Sequence, residues 1–208
     1  MATDLIITRA TFADIKPATR LIATAFEPLD VCRWLVPTDS DRLDVLERYF
    51  TIFTEHAVAH GNLHLAGDGQ GAAVWLPHRG AKGRTAPEVV DYDLHLAAAV
   101  GEHLDRFAVL EQHFDARHPD GDRTPHDHLA LLAVHPDHQG QGIGGALLDH
   151  HHAELDSEHL GAYLEAASKD SRRLYEEHGY EDLGTPITLA GGERLWSMLR
   201  PAGWRAAR

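Results

Sequence analysis

One stretch, "LALLAVHPDHQGQGIGGALL" (129–148), limits what this chain can fold into more than any other. An apolar run of strand length passes into a turn with four glycines and then into helix-forming sequence. Such a strand, loop and helix aims successive backbone N–H groups, and the positive end of a helix dipole, at one point where an anion can sit. Gly140, Gly142 and Gly145 also satisfy G-x-G-x-x-G, and Glu165 lies near the position where a dinucleotide-binding fold carries an acid for a ribose hydroxyl. That reading fails on length. Five residues, "HPDHQ", separate Val134 from Gly140, and only 43 residues follow Glu165, too few for the rest of a doubly wound sheet. The remaining reading is a pyrophosphate loop in which glycine is needed because a side chain would block close approach.

The rest of the chain reads as one domain of 208 residues. "LIITRA" (5–10) is a short strand. "TFADIKPATRLIATAF" carries a helix start at Thr11, and the apolar "EPLDVCRWLVPTDS" predicts a short helix or lid. A long helix from Asp41 stops at Gly61. "NLHLAG-DGQG-AAVWLP" is a hairpin, and 87–117 is helix-prone with a break near Gly101. After the turn-rich 118–125 come strand "HDHLALLAV", the glycine loop and its helix, strand "AYLEAA", helix "DSRRLYEEHG", and short strands at "YEDLG" and "RLWSML".

Nineteen Lys and Arg against 32 Asp and Glu give a net charge of −13, which disfavours nucleic acid and favours cationic small molecules. No apolar run reaches the length of a membrane span and the N-terminus lacks the build of a signal peptide, so no membrane partner and a cytoplasmic location are expected. Cys32 is the single cysteine, which excludes a thiolate-rich metal site. Among 17 histidines, the consecutive His150, His151 and His152 point about 100° apart on a helix. His56 and His60 have i,i+4 spacing but no third ligand in sequence, so no metal is expected.

"LALLAVHPDHQGQGIGGALL" resembles the acetyl-CoA motif of the GNAT superfamily of N-acetyltransferases, whose pattern Q/R-x-x-G-x-G/A falls on Gln139, Gly142 and Gly144. Its second signature, Y-x-x-x-G-F/Y, falls on Tyr175, Gly179 and Tyr180, so the likeness covers about 126–180. Within the superfamily, "VHPDHQGQG", the short interval from Glu165 to Tyr175 and "GERLWSMLRP" are similar to puromycin-type N-acetyltransferases.

The resemblance implies an α/β (α+β) GNAT acyl-CoA N-acyltransferase fold, with a mixed, mostly antiparallel central sheet flanked by helices. One domain spans 1–208, with its cofactor core at about 126–180 and substrate-side elements at about 11–117. It also implies acetyl-CoA as cosubstrate. Leu132, Ala133 and Val134 would bind pantetheine by their free amides after a bulge, and Gln139, Gly140, Gln141, Gly142, Ile143 and Gly144 would hold the pyrophosphate. Ser168 and Ser171 stand where family members often carry asparagine and alanine, and their hydroxyls can bond the cofactor. Tyr175 is the expected general acid, Glu165 the leading general base through a water, and His128 a second candidate base.

Substrate recognition falls to Phe26, Glu27, Asp30 and Trp34 in the first loop and to Trp75 on the hairpin, an aromatic and acidic set suited to a cationic amine. The expected reaction is direct acetylation of a primary amine on a small molecule such as an antibiotic or amino-nucleoside. Cys32, in a loop taken to be remote, is no acyl carrier. The alternatives are a protein or peptide N-acetyltransferase and a non-catalytic acyl-CoA sensor. The expected assembly is a monomer or homodimer.

Overall fold

The computed structural model describes residues 5–204. Strand β1 (Ile7–Arg9) leads through a 3-10 turn to helix α1 (Ile15–Phe26), then α2 (Asp30–Leu35) and α3 (Asp39–His60). Pro17 is harmless in the first turn of α1, where its missing N–H has no intrahelical acceptor. The hairpin of β2 (Asn62–Ala66) and β3 (Gly71–His78) follows, then α4 (Tyr92–Val100) and α5 (Leu104–Asp115). Gly101, at φ 55°, breaks these two helices apart as its sequence position predicts. The second half runs β4 (His126–Val134), α6 (Ile143–Glu158), β5 (Gly161–Ala166), α7 (Lys169–Glu177), β6 (Glu181–Asp182), β7 (Ile187–Thr188) and β8 (Arg194–Arg200). The sequence reading lacks β7, because two paired residues are too few to show alternation. Among the described residues no helix is long and apolar enough to cross a membrane.

The strands form one sheet in the order β1-β2-β3-β4-β5-β8-β6, with β7 also on β8. Every pairing is antiparallel except β4 with β5. That parallel ladder is short: it runs from His126↔Gly161 to Leu129↔Leu164 and then ends, although β4 continues to Val134. Along the other edge of β4 the register slips, with Trp75 opposite Leu129 and Val74 opposite Leu131, which leaves Ala130 as a bulge.

The bulge changes which face each β4 side chain takes. Before it, Leu129 packs with α6 and α7, while His128 looks across the other face. After it, Leu131 and Ala133 join the core of α1–α5. A strand with strict period 2 would keep residues 129, 131 and 133 on one face, so the extra residue reassigns the apolar set.

Polar groups fix α6 to the sheet. Asp127, fully buried on β4, accepts from Arg79 Nε at 2.6 Å and Nη2 at 2.7 Å, and from His151 Nε2 on α6 at 2.9 Å. Burial opposes its charge, but these donors overcome that cost and hold the carboxyl at about 2. Arg200 of β8 forms a two-pronged bond with Asp156 of α6, and His152 bonds the Tyr180 hydroxyl at 2.9 Å.

Removing one partner of a buried pair strands the other, typically at a cost of about 3–5 kcal/mol. Arg79 keeps Glu158 and a little solvent, so Asp127→Ala should lie near the lower limit, about 3 kcal/mol. Urea unfolding of the two proteins measures it, and a loss under about 1 kcal/mol would show that the network does not carry the α6 contact.

Candidate active site

The glycine loop meets the geometric demands of an anion site. Gly140 (φ 73°) and Gly142 (φ 81°) hold left-handed backbone that side chains disfavour, and nothing lies within 4 Å of where a Cβ would stand on either. Gly142 caps α6 with no side-chain cap bond, and the first turn of the helix has no acid, so its leading amides face open space. Ile143, next along, is buried at 4% exposure and pins this end of the helix to the sheet.

Gln139 and Gln141 brace the loop, donating to the carbonyls of Val134 at 3.2 Å and Asp137 at 3.4 Å. A Cβ on Gly144 would meet only the end of the Leu174 side chain of α7 at 3.4 Å, an ordinary contact, so packing alone does not require glycine there. Leu132, Ala133 and Val134 occupy the part of β4 that β5 has left, so the edge facing the gap has no ladder partner. Uncapped helix, open left-handed glycines and free strand edge together fit a ligand with a pyrophosphate head and an amide-bearing arm.

Ser168 and Ser171 are otherwise engaged. Ser168 Oγ accepts from the Ser171 amide at 3.0 Å, and Ser171 Oγ from the Ser168 amide at 3.1 Å, a reciprocal cap on α7. Helix capping is thus a structural role these hydroxyls carry that the sequence reading did not assign.

Past the fork, the sheet face opposite α6 floors a cavity of about 990 Å³. The two candidate bases meet there: His128 Nε2 donates to Glu165 Oε2 at 2.9 Å, where sequence had set them as alternatives. The Glu165 side chain is 6% exposed, and its second oxygen is buried without a hydrogen-bond partner. Tyr163, two residues earlier on the same face of β5, has its hydroxyl enclosed in the same way, and burial together with the Glu165 charge raises its pKa.

Tyr175 lies on the other side of the sheet, 7% exposed in the α6–α7 core and edge-on to Tyr180 at 5.7 Å. Burial alone raises its phenol pKa.

Of the substrate set, only Phe26 lines the cavity. Trp75 is fully buried on the opposite face, stacked on His151 at 4.2 Å, because hairpin alternation points it toward α6. Asp30 is exposed beside Arg33, and Glu27 is half-buried at the C-terminal cap of α1 outside the cavity wall. Trp34 lies under the Arg106 guanidinium at 5.6 Å. The walls come instead from 86–94, with Glu88, Asp91 and Asp93, from Tyr49 and Phe53 of α3, and from Glu111 and Asp115 of α5.

Glu111 accepts from the Tyr49 and Tyr92 hydroxyls, and burial raises its pKa. The aromatic and acidic chemistry read from the first loop is thus supplied by other residues. Glu111, Phe114 and Asp115 at helical spacing were the available sequence signal. Cys32 also proves close rather than remote: it lines the cavity wall, and burial pushes its thiol up to about 12.

Residues 92–182 match the family model for the acetyltransferase (GNAT) domain. Over 74 residues the chain is 35% identical to a mycothiol acetyltransferase of Propionibacterium freudenreichii subsp. shermanii, a stretch covering 34% of this chain and 24% of that protein. Across nearly the full length, it superposes on a structure described as histone acetyltransferase HPA2 and related acetyltransferase from Corynebacterium glutamicum, with TM-score 0.69, 26% identity, and coverage of 99% of this chain and 100% of the other. Arylalkylamine N-acetyltransferase 2 from Aedes aegypti shares the fold at TM-score 0.68 and 13% identity, with coverage of 96% and 99%. With its forked sheet and its Q-x-x-G-x-G loop, the part of the chain from 92 to 182 is matched by the GNAT acetyltransferase domain, and the whole chain shares the fold of solved acetyltransferases.

Proposed function

We propose that this protein transfers acetyl from acetyl-CoA to a primary amine of a small, cationic molecule by direct attack. The observation that carries the reading is the fork itself: the free edge of β4 and the glycine loop open toward the gap that also exposes the His128–Glu165 pair on the cavity floor. GNAT acetyltransferases use acetyl-CoA, which supplies an activated acyl group as a thioester.

The chain's residues then have separate tasks. Backbone N–H groups of 132–134 hold the pantetheine arm and polarise the thioester carbonyl. Glu165, buried and oriented by His128, takes the ammonium proton of the acceptor, directly or through a water. The Tyr175 hydroxyl, for which burial disfavours ionisation, keeps its proton to hydrogen-bond the departing sulfur. The acidic walls attract a cation and the aromatic ones pack its apolar part. Segment 86–94 closes over one side of the cavity, which favours a compact acceptor over a polypeptide. Cys32, held as a thiol by burial, does not offer an acyl-enzyme route.

Release of free CoA across a panel of aminonucleosides, arylalkylamines, polyamines, amino acids and short peptides, with product masses recorded, tests the assignment. Acetylation of one small-amine class supports it, and turnover confined to peptides would overturn it. Glu165→Gln should lower kcat about 10²- to 10⁴-fold while acetyl-CoA binding stays within twofold. An unchanged kcat would remove Glu165 from the base role. Gly142→Val forces a branched side chain into left-handed backbone at the mouth of the loop, and should weaken acetyl-CoA binding about 10-fold or more by calorimetry.

A further inference from the structure

Four imidazoles crowd the end of the cavity floor nearest β3. His78 ends β3 opposite His126, and His128 lies two residues along β4 on the same face. His118, from the turn after α5, drops between them, with ring centres 4.5 Å from His78 and 5.0 Å from His128. One ring nitrogen from each of His78, His118 and His128 lies within 4.8 Å of the others.

The hydrogen bonds around this group fix its free lone pairs. His126 Nδ1 donates to the Thr124 carbonyl at 2.6 Å, so its Nε2 is the acceptor for His118 Nε2 at 3.1 Å. His118 therefore carries its proton on Nε2 and keeps a lone pair on the other nitrogen. His128 likewise spends its Nε2 proton on Glu165, leaving its second nitrogen as a lone-pair donor.

We propose that His78, His118 and His128 form a binding site for a zinc-class divalent cation, with a fourth coordination position open to the cavity. Three imidazole nitrogens plus one open position is a donor set that zinc accepts. Ligating histidines usually give their other ring proton to a carboxylate or carbonyl, and here Glu165 does that for His128 while His126 relays His118 to the Thr124 carbonyl. Tetrahedral bonds of about 2.0–2.1 Å need donor nitrogens roughly 3.3 Å apart, which side-chain rotation from two strands and a turn can reach. A cation there would stand where the acceptor's ammonium approaches Glu165, so metal and acceptor would compete.

Metal binding is measured directly, without acetyl transfer as the readout. The full-length chain, stripped with a chelator, is titrated with Co²⁺ followed by visible absorption and with Zn²⁺ by calorimetry. One equivalent per chain with the strong bands of four-coordinate Co²⁺ is expected. Those bands should be lost in His118→Ala and in His78→Ala, whose folding is checked by circular dichroism, and kept in His60→Ala. Glu165→Gln should weaken the affinity about 10- to 100-fold as an orienting partner. Octahedral Co²⁺ spectra, or several weak equivalents unchanged by His118→Ala, would overturn the proposal and leave only scattered binding to surface histidines. Acetyl-CoA binding by the same samples reports separately on the assignment as an acetyltransferase.

Discussion

Strand β4 cannot follow β5 beyond Leu129, and the functional architecture depends on that separation. Parallel pairing lasts four residues and stops where Ala130 bulges against β3. A bulge adds local twist and interrupts alternation. Here it carries the distal half of β4 away from β5, leaves one backbone edge without partners, and moves Leu131 and Ala133 to the face that packs on α1–α5. A continuous ladder in its place would close the gap and bury the same amides in sheet hydrogen bonds, leaving no route between the two faces.

The faces then divide the work. On one, α6 is tied down by Asp127, Asp156 and the aromatic stack of Trp75 on His151 along its length and by Ile143 at its N-terminus, which the braced glycine loop approaches. On the other, the same strands present His128, Tyr163 and Glu165, with several polar atoms enclosed and unpaired. Unpaired buried polar groups cost stability, and the Tyr163 hydroxyl and one Glu165 oxygen are two of those this protein carries, beside others such as Trp75 Nε1 on the α6 face.

How legible a residue was depended on whether its partners were near it in sequence. Gly140 and Gly142 were readable because their demand is local: a positive φ beside a helix start. The pairing of Glu165 with His128 was half readable, since each residue stood out as a base but nothing in the spacing of 37 positions says that they touch. Trp75 misled because an aromatic on a hairpin has two faces to choose from, and the face is set by register against strands 50 or more residues away. Ser168 and Ser171 are near enough in sequence to satisfy each other as a helix cap, a local role the sequence reading did not give them.

The sequence by itself determined the order of all the main elements but β7, the glycine loop at the start of α6 and the likeness to GNAT acetyltransferases, because periodicity, turn residues and capping act over a few residues and leave their mark in order. Only the tertiary structure decided the cavity on the face opposite α6 and the imidazole cluster. Glu88, Asp91 and Glu111 become one acidic wall, and His78, His118 and His128 one group, when α4, α5 and the sheet pack together. Such contacts rest on burial and strand register, which are properties of the assembled core rather than of any segment.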